Sequence, residues 1–520
     1  MSRFFNTTGA CNPRDHYLLP PERRLPELMG LVERKQYFVL HAARQTGKTT
    51  AMLAFAARLR EAGYAAVRVT LEESQGFEAV EDAEPLWILA IQRAAQHQLP
   101  PEQQPLSLAS DVDGPVGGRL GVWLSTWCEQ ISPTPVVLLL DEADVVRGPA
   151  LISLLRQLRA GFDDRPRRFP SSIALVGMRD LRDYLTQSKD GELVNPGSPF
   201  NIKAASLTLR NFTRDEVGEL YAQHSADTGQ RFEEAAIERA YYWTQGQPFL
   251  VNALADIATT KLAPDRSEVV SAEHIEVARE RLILSRTTHL DALAQRLREP
   301  RVAKIVQAVL LGDDPRSIPY RHDDFQYVLD LGLIQRGAEG AEPANPLYRE
   351  ILAREMSANL QESLSTPRWP WRTAEGRLNF PALIDAFLSW WRENADALVE
   401  DVPDYPEAIP HLAFMAFLQR VINGGGTVHR EYSAGRGALD LAIQYGPDRF
   451  VVEIKRVRSR DSLEGVREKA IAQTLGYLET LGEPEAWILL FDQRPGRSWD
   501  ERLWREDLER EGRRLRLVGA

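Results

Sequence analysis

Residues 37–63 constrain the fold more than any other stretch. Tyr37-Phe38-Val39-Leu40 is an unbroken apolar run, the pattern of a strand buried on both faces. From Thr49 to Ala62, Met52, Phe55, Ala56 and Leu59 recur at helical spacing, and Gly63 offers a stop. Between strand and helix stand Ala42-Ala43-Arg44-Gln45-Thr46-Gly47-Lys48-Thr49. A loop in this position directs free backbone N–H groups and the positive end of the helix dipole toward one point, which attracts an anion.

The loop fits G-x-x-x-x-G-K-[ST] except that Ala42 replaces the first glycine. In such a loop Lys48 reaches the β- and γ-phosphates and the Thr49 hydroxyl ligates Mg²⁺. Ala43, Arg44, Gln45, Thr46, Gly47, Lys48, Thr49 and Thr50 are therefore candidate nucleotide contacts. Further apolar strands follow at 66–71, 136–140 and 173–177, separated by helical patterns at 86–98 and 120–131. Strands alternating with helices imply a parallel sheet covered on both faces. The strand Val136-Val137-Leu138-Leu139-Leu140 ends in Asp141-Glu142, the Walker B arrangement, in which Asp141 holds the metal and Glu142 polarises the attacking water. Arg179, after the strand at 173–177, is a candidate γ-phosphate sensor.

The order of phosphate loop, Asp-Glu strand and sensor strand resembles the AAA/STAND group of P-loop ATPases. Gly246-Gln247-Pro248 resembles the G-x-P motif of STAND-type ATPases. The stretch 43–49 and Ala344-Asn345-Pro346-Leu347-Tyr348 resemble bacterial AAA-like ATPases. The resemblance covers about residues 1–356. It implies a P-loop core at 1–204, a helical lid at 205–299 and a winged helix at 300–356, with ATP and Mg²⁺ as ligands. It also implies adenine contacts from the segment before the first strand, where His16, Tyr17 and Arg23 are candidates.

A Pro/Trp/Arg-rich stretch at 357–379 reads as a linker to a second α/β region at 380–520. There Asp440 precedes the turn residues Gly446-Pro447-Asp448, and Glu453-Ile454-Lys455 follow. A hairpin turning near Pro447 is expected to set Asp440 opposite about residue 454, beside Glu453. Glu453 and Lys455, two apart, share one strand face. Asp440 and Glu453 are candidate metal ligands, and Lys455 a candidate for positioning water. The spacing resembles the PD-(D/E)XK nuclease signature. That resemblance adds Glu407 as an accessory carboxylate and Gln473 and Tyr477 as a Q-x-x-x-Y pair on the following helix. Between Arg449 and Ala470, seven basic residues face four acidic ones, which suits a nucleic-acid groove.

The whole chain carries a net charge of −11, which argues against coating of nucleic acid and leaves room for such a local groove. At 520 residues it has length for about three to four domains. No apolar stretch approaches the roughly 20 residues of a membrane span, and the N-terminus does not read as a signal peptide. The two cysteines, Cys11 and Cys128, argue against a disulfide framework and fit a cytoplasmic setting. The expected function is an ATP-driven switch controlling a Mg²⁺-dependent nuclease, with nucleic acid, and a second copy of the chain, as partners. The alternatives are a signalling or scaffold protein with an inactive nuclease fold, and a translocating motor.

Overall fold

The computed structural model describes residues 3–106, 114–178, 203–285, 295–311, 323–337, 340–363, 376–401, 426–434, 437–458 and 461–520, with a few isolated positions between them. Arg179 and Glu407 lie outside the described residues, and the side chain of Asp440 is likewise not described. The chain divides into two compact units. One comprises 1–289 with 325–334 and 344–347; the other comprises 290–324, 335–343 and 348–520.

In the first unit, β1 (Tyr37–His41), β2 (Ala65–Thr70), β3 (Val136–Asp141), β4 (Ser172–Gly177) and β5 (Lys203–Thr208) form one sheet in the order β2-β3-β4-β1-β5. Every pairing is parallel. Side chains alternate between two apolar layers. Val39, Val67, Leu138 and Leu140 pack with Trp87, Trp123, Trp127 and Leu154 on one face. Phe38, Leu40, Val137 and Leu139 pack with Met52, Phe55 and Leu59 on the other. The unbroken apolar runs in the sequence follow from this double burial.

Helix α1 (Leu28–Glu33) precedes the sheet, and α2 (Lys48–Glu61) leaves β1 through the loop. Helices α3 (Val80–Gln98), α4 (Arg119–Gln130) and α5 (Gly148–Ala160) cover the tryptophan-rich face. A helical layer follows: α6 (Arg214–Thr228), α7 (Glu234–Thr244), α8 (Pro248–Ile257) and α9 (Ala272–Leu284). The start of α6 carries a capping box in which Thr213 and Glu216 satisfy each other's backbone N–H groups. The helical pattern from 271 onward is followed only to Leu284 as one helix.

Further along the chain come α10 (Pro300–Leu311), α11 (Asp323–Asp330), β6 (Ile334–Arg336), β7 (Ala341–Pro343) and α12 (Pro346–Ser363). The second unit then contains α13 (Phe380–Asp401) and a six-stranded sheet. Its strands are β8 (Gly426–Ala434), β9 (Gly437–Tyr445), β10 (Asp448–Val457), β11 (Glu485–Asp492), β12 (Arg505–Arg510) and β13 (Arg513–Gly519), in the order β12-β13-β11-β10-β9-β8. The sheet is mixed. β8, β9 and β10 pair antiparallel, β10, β11 and β13 parallel, and β12 antiparallel at the edge. Phe380, Phe387 and Trp391 of α13 pack against Leu441, Val452 and Ile454. Helix α14 (Leu463–Leu481) covers the opposite face through Ala470, Ile471 and Leu478, which meet Val451 and Ile488. Among the described residues, no helix is long and apolar enough to cross a membrane.

Candidate functional site

The phosphate-loop residues gather at the carboxyl edge of the parallel sheet, where the β1–α2 turn meets the end of β3. Gly47 caps α2 in a left-handed conformation, φ 88°, which a side chain rarely adopts. Gln45 is also left-handed, at φ 57°. Two buried side chains brace the loop from outside. Arg24 donates through Nη2 to the Thr46 carbonyl at 2.9 Å and through Nε to the Arg210 carbonyl at 2.7 Å. Burial, together with neighbouring Arg210, lowers its pKa to about 9. Gln247 donates through Nε2 to the Gln45 carbonyl at 3.3 Å, while its Oε1 accepts from Leu250 N at 2.7 Å and caps α8. The Gly246-Gln247-Pro248 motif therefore reaches the loop directly. Gly246, at φ 71°, leaves no room for a side chain, because a Cβ there would lie 1.9 Å from the Phe212 carbonyl oxygen.

Inside the loop, Lys48 Nζ donates to the carbonyls of Ala42 and Ala43 at 2.7 and 2.8 Å. Burial lowers its pKa, and the nearby carboxylates of Asp144, Asp141 and Glu142 partly restore it. Thr46 Oγ1 donates to the Ala43 carbonyl at 2.9 Å. Arg44 Nε contacts Met178 Sδ at 3.4 Å, at the end of β4. Thr50 is engaged elsewhere, its hydroxyl accepting from Cys11 N at 3.0 Å.

The decisive link runs between distant parts of the sequence. Thr49 Oγ1 donates to Asp141 Oδ2 at 2.9 Å, joining the start of α2 to the end of β3. Asp141 is almost wholly buried. Glu142, next to it, sits in the left-handed region at φ 59°, a sparsely populated conformation for a non-glycine residue. Burial and the charges of Asp144 and Asp141 raise the Glu142 pKa above the ordinary carboxylate value. Thr49 and Asp141 present hard oxygen donors side by side, which suits Mg²⁺.

Two residues of this site escape a reading of the sequence. Asp144 lies against the end of β4, where a Cβ on Gly177 would come within 3.0 Å of its Oδ1. Arg68, from β2, donates to Asp141 Oδ2 through Nη2 at 2.6 Å and Nε at 3.1 Å. A signal for Arg68 does exist, since it is a lone charge within the apolar strand 66–71. The three N-terminal candidates have partners within the protein. His16 Nδ1 accepts from Asn12 N at 2.8 Å, the Tyr17 hydroxyl lies 3.2 Å from His224 Nδ1, and Arg23 pairs with Glu219 at 2.5 Å.

In the second unit, the β9–β10 hairpin turns at Gly446-Pro447, with Tyr445 opposite Asp448. Its register runs to Leu441 opposite Val452, so one step further lie Asp440 on β9 and Glu453 on β10. Continued by one residue, that register would set Asp440 opposite Glu453, one position from the expected residue 454, because the two turn residues leave Tyr445 and Asp448 as the first pair. Glu453 is fully buried, and Lys455 Nζ donates to its Oε1. Val451, Glu453 and Lys455 alternate onto the face covered by α14. On that helix Gln473 Nε2 donates to the Tyr477 hydroxyl at 2.6 Å. Among the described residues, no group of three or more His, Cys, Asp or Glu side chains is placed to hold a metal.

The first unit has the strand order and loop of a P-loop NTPase fold. No protein-family model matches the sequence, and no curated protein matches it. Among solved structures, the chain is similar to a Walker-type ATPase of Pyrococcus abyssi, at 16% identity and a TM-score of 0.47 over 67% of this chain and 99% of that one. It is also similar to the RuvB Holliday junction branch migration motor of Thermotoga maritima, at 14% identity and a TM-score of 0.35 over 64% of this chain and 92% of that one. The Drosophila ORC bound to DNA gives 13% identity and a TM-score of 0.34 over 68% of this chain and 88% of that one. Likeness at this level adds nothing to what the strand order and the loop establish.

Proposed function

We propose that the first unit binds and hydrolyses ATP with Mg²⁺ and acts as the control element of the chain. One observation carries this reading: the hydrogen bond from Thr49 Oγ1 to Asp141 Oδ2, which brings a phosphate-loop hydroxyl and a Walker B carboxylate to one point beside Lys48. On this reading the backbone N–H groups of residues 44–49 and the α2 dipole hold the phosphates. Lys48 exchanges its bonds to the Ala42 and Ala43 carbonyls for bonds to the β- and γ-phosphates. Thr49 and Asp141 would hold Mg²⁺, which would supply neutralisation of the charge on the phosphates. Glu142 orients the attacking water and accepts its proton, a role suited to a carboxylate of raised pKa. Arg179 is proposed to contact the γ-phosphate. Gln247 links the loop to the helical layer, so nucleotide state has a direct route into residues 205–299.

We further propose that the region 380–520 is a PD-(D/E)XK-like nuclease under this control, acting on DNA or RNA in the cytoplasm. Support comes from the hairpin register, whose Leu441–Val452 pair adjoins Asp440 and Glu453, and from Lys455 on Glu453. Asp440 and Glu453 would hold the metal, with Gln473 and Tyr477 on the covering helix and Glu407 as an accessory carboxylate. The buried Glu453–Lys455 pair favours a second reading, a nuclease-like module that binds nucleic acid or protein without cutting, since the ammonium already occupies one carboxylate oxygen.

Plasmid DNA and a single-stranded RNA, incubated with Mg²⁺ and ATP, separate these readings. Cleavage by wild type that is lost in both Asp440→Ala and Lys48→Ala supports the controlled nuclease. ATP binding without cleavage of either substrate supports the binding module. Failure of a fluorescent ATP analogue to bind wild type, while Lys48→Ala behaves identically, removes the ATPase reading itself.

A further inference from the structure

Asp141 already carries a cation supplied by the protein. Arg68 sends both Nη2 and Nε to a single oxygen, Oδ2, at 2.6 and 3.1 Å. Thr49 Oγ1 donates to that same oxygen. A carboxylate oxygen has about two lone-pair sites, and three donors already share Oδ2, so it has no site to spare. The other oxygen, Oδ1, accepts from Glu142 N at 3.1 Å. A carboxylate this deeply buried needs a counter-ion, and Lys48 has its Nζ turned to the loop carbonyls.

The placement of Arg68 is built in. It lies on β2, the edge of the sheet, where Thr70 is in register with Asp141. Gln98, at the end of α3, clamps its backbone, accepting from Arg68 N at 3.0 Å and donating to the Arg68 carbonyl at 2.7 Å. The main chain is therefore held while the guanidinium, with its side chain about one-fifth exposed, has solvent on one side into which it can withdraw. A fixed backbone with a retractable charge suits a group that must leave and return.

We infer that Arg68 is a resident counter-ion that competes with the divalent metal for Asp141, so that metal enters the phosphate-loop site only as the Arg68 guanidinium releases Oδ2. This rests on the reading that Thr49 and Asp141 hold the metal. The competing role, in which Arg68 orients Asp141 for the metal, predicts the opposite sign when Arg68 is removed.

The test uses the full chain with a non-hydrolysable ATP analogue and Mn²⁺. The readout is the nucleotide-dependent part of the Mn²⁺ signal in electron paramagnetic resonance, which excludes ions bound elsewhere on the chain. Binding of a fluorescent ATP analogue in EDTA is measured in parallel. Arg68→Ala is expected to tighten Mn²⁺ on the order of tenfold, the scale of one charge-assisted hydrogen-bonded contact. Arg68→Gln, neutral and closer in size, is expected to move the same way and covers the case in which the alanine variant does not fold. Arg68→Lys keeps the charge and is expected to stay near wild type. Unchanged or weaker Mn²⁺ binding in both neutral variants overturns the inference. Absence of nucleotide binding by wild type in EDTA and in Mn²⁺ alike overturns the underlying reading, and this inference with it.

Discussion

The two units each place a cation on a buried acidic residue, and they do so in different ways. In the first, Asp141 takes its counter-ion from Arg68, which is 73 residues away in sequence and on another strand. In the second, Glu453 takes Lys455 from two residues along the same strand. The first arrangement leaves the loop lysine, Lys48, available for a ligand. The second commits the one lysine of the motif to its own glutamate. The pair in the first unit bridges two paired strands, whereas the pair in the second lies along one strand face, where residues two apart point the same way. The comparison therefore sets a charge site built by tertiary pairing against one built within a single strand.

The largest effect that would sharpen this contrast is at Lys48. Lys48→Ala is expected to weaken binding of a fluorescent ATP analogue by about a hundredfold or more, since it removes charge-assisted contacts to two phosphates. Binding within a factor of three of wild type would show that the loop is not the nucleotide site. Next is Glu142→Gln, expected to lower the hydrolysis rate by roughly 10²–10⁴ while leaving ATP affinity near wild type, the signature of a lost general base. A phosphate-release assay alongside a binding titration checks both halves.

The pH profile of the same hydrolysis gives a test by sign. The Glu142 pKa is raised, and under the proposed function its carboxylate is the working form. Activity should therefore fall, as pH is lowered, at a higher pH than an ordinary glutamate would give. An acidic limb at or below the usual value of about 4.3 contradicts this assignment.

On the second unit, Lys455→Ala leaves Glu453 buried without its ammonium. It is expected to destabilise that unit by about 3 kcal/mol, read from denaturant unfolding. Glu453→Leu combined with Lys455→Met should recover most of the loss, because an apolar pair removes the stranded charge. A smaller stability effect is expected at the other site, where Asp141 keeps its hydrogen bonds from Thr49 Oγ1 and Glu142 N when Arg68 is removed. Arg68→Ala should cost the first unit about 1–2 kcal/mol without metal. If its loss equals that of Lys455→Ala, the contrast between the two pairs fails.

Much of the first unit was legible because its signals are local. The apolar run at 37–40 and the helical spacing after Thr49 locate the loop, and Gly47 has the left-handed conformation that such a loop requires. Asp141 and Glu142 were legible as the end of an apolar strand. In the second unit, Gly446-Pro447 marked the hairpin but left its register uncertain by one residue. Only the pairing of Tyr445 with Asp448 sets that register. The tie from Gln247 to Gln45 was not legible, although Gly246-Gln247-Pro248 stood out as a motif, because a motif does not say which distant backbone group its side chain will meet.

The sequence by itself determined where a strand passes into a helix, which loop carries the lysine, and which strand ends in paired acids. Each depends on neighbours within a few residues. Tertiary structure decided what surrounds those groups: Arg68 and Thr49 on one oxygen of Asp141, Asp144 against Gly177, and Arg24 and Gln247 bracing the loop. The physical reason lies in the parallel sheet. Each crossover returns the chain to the same edge, so residues far apart in sequence meet at the strand ends. Their charges are then set by burial and by one another, which no local pattern records.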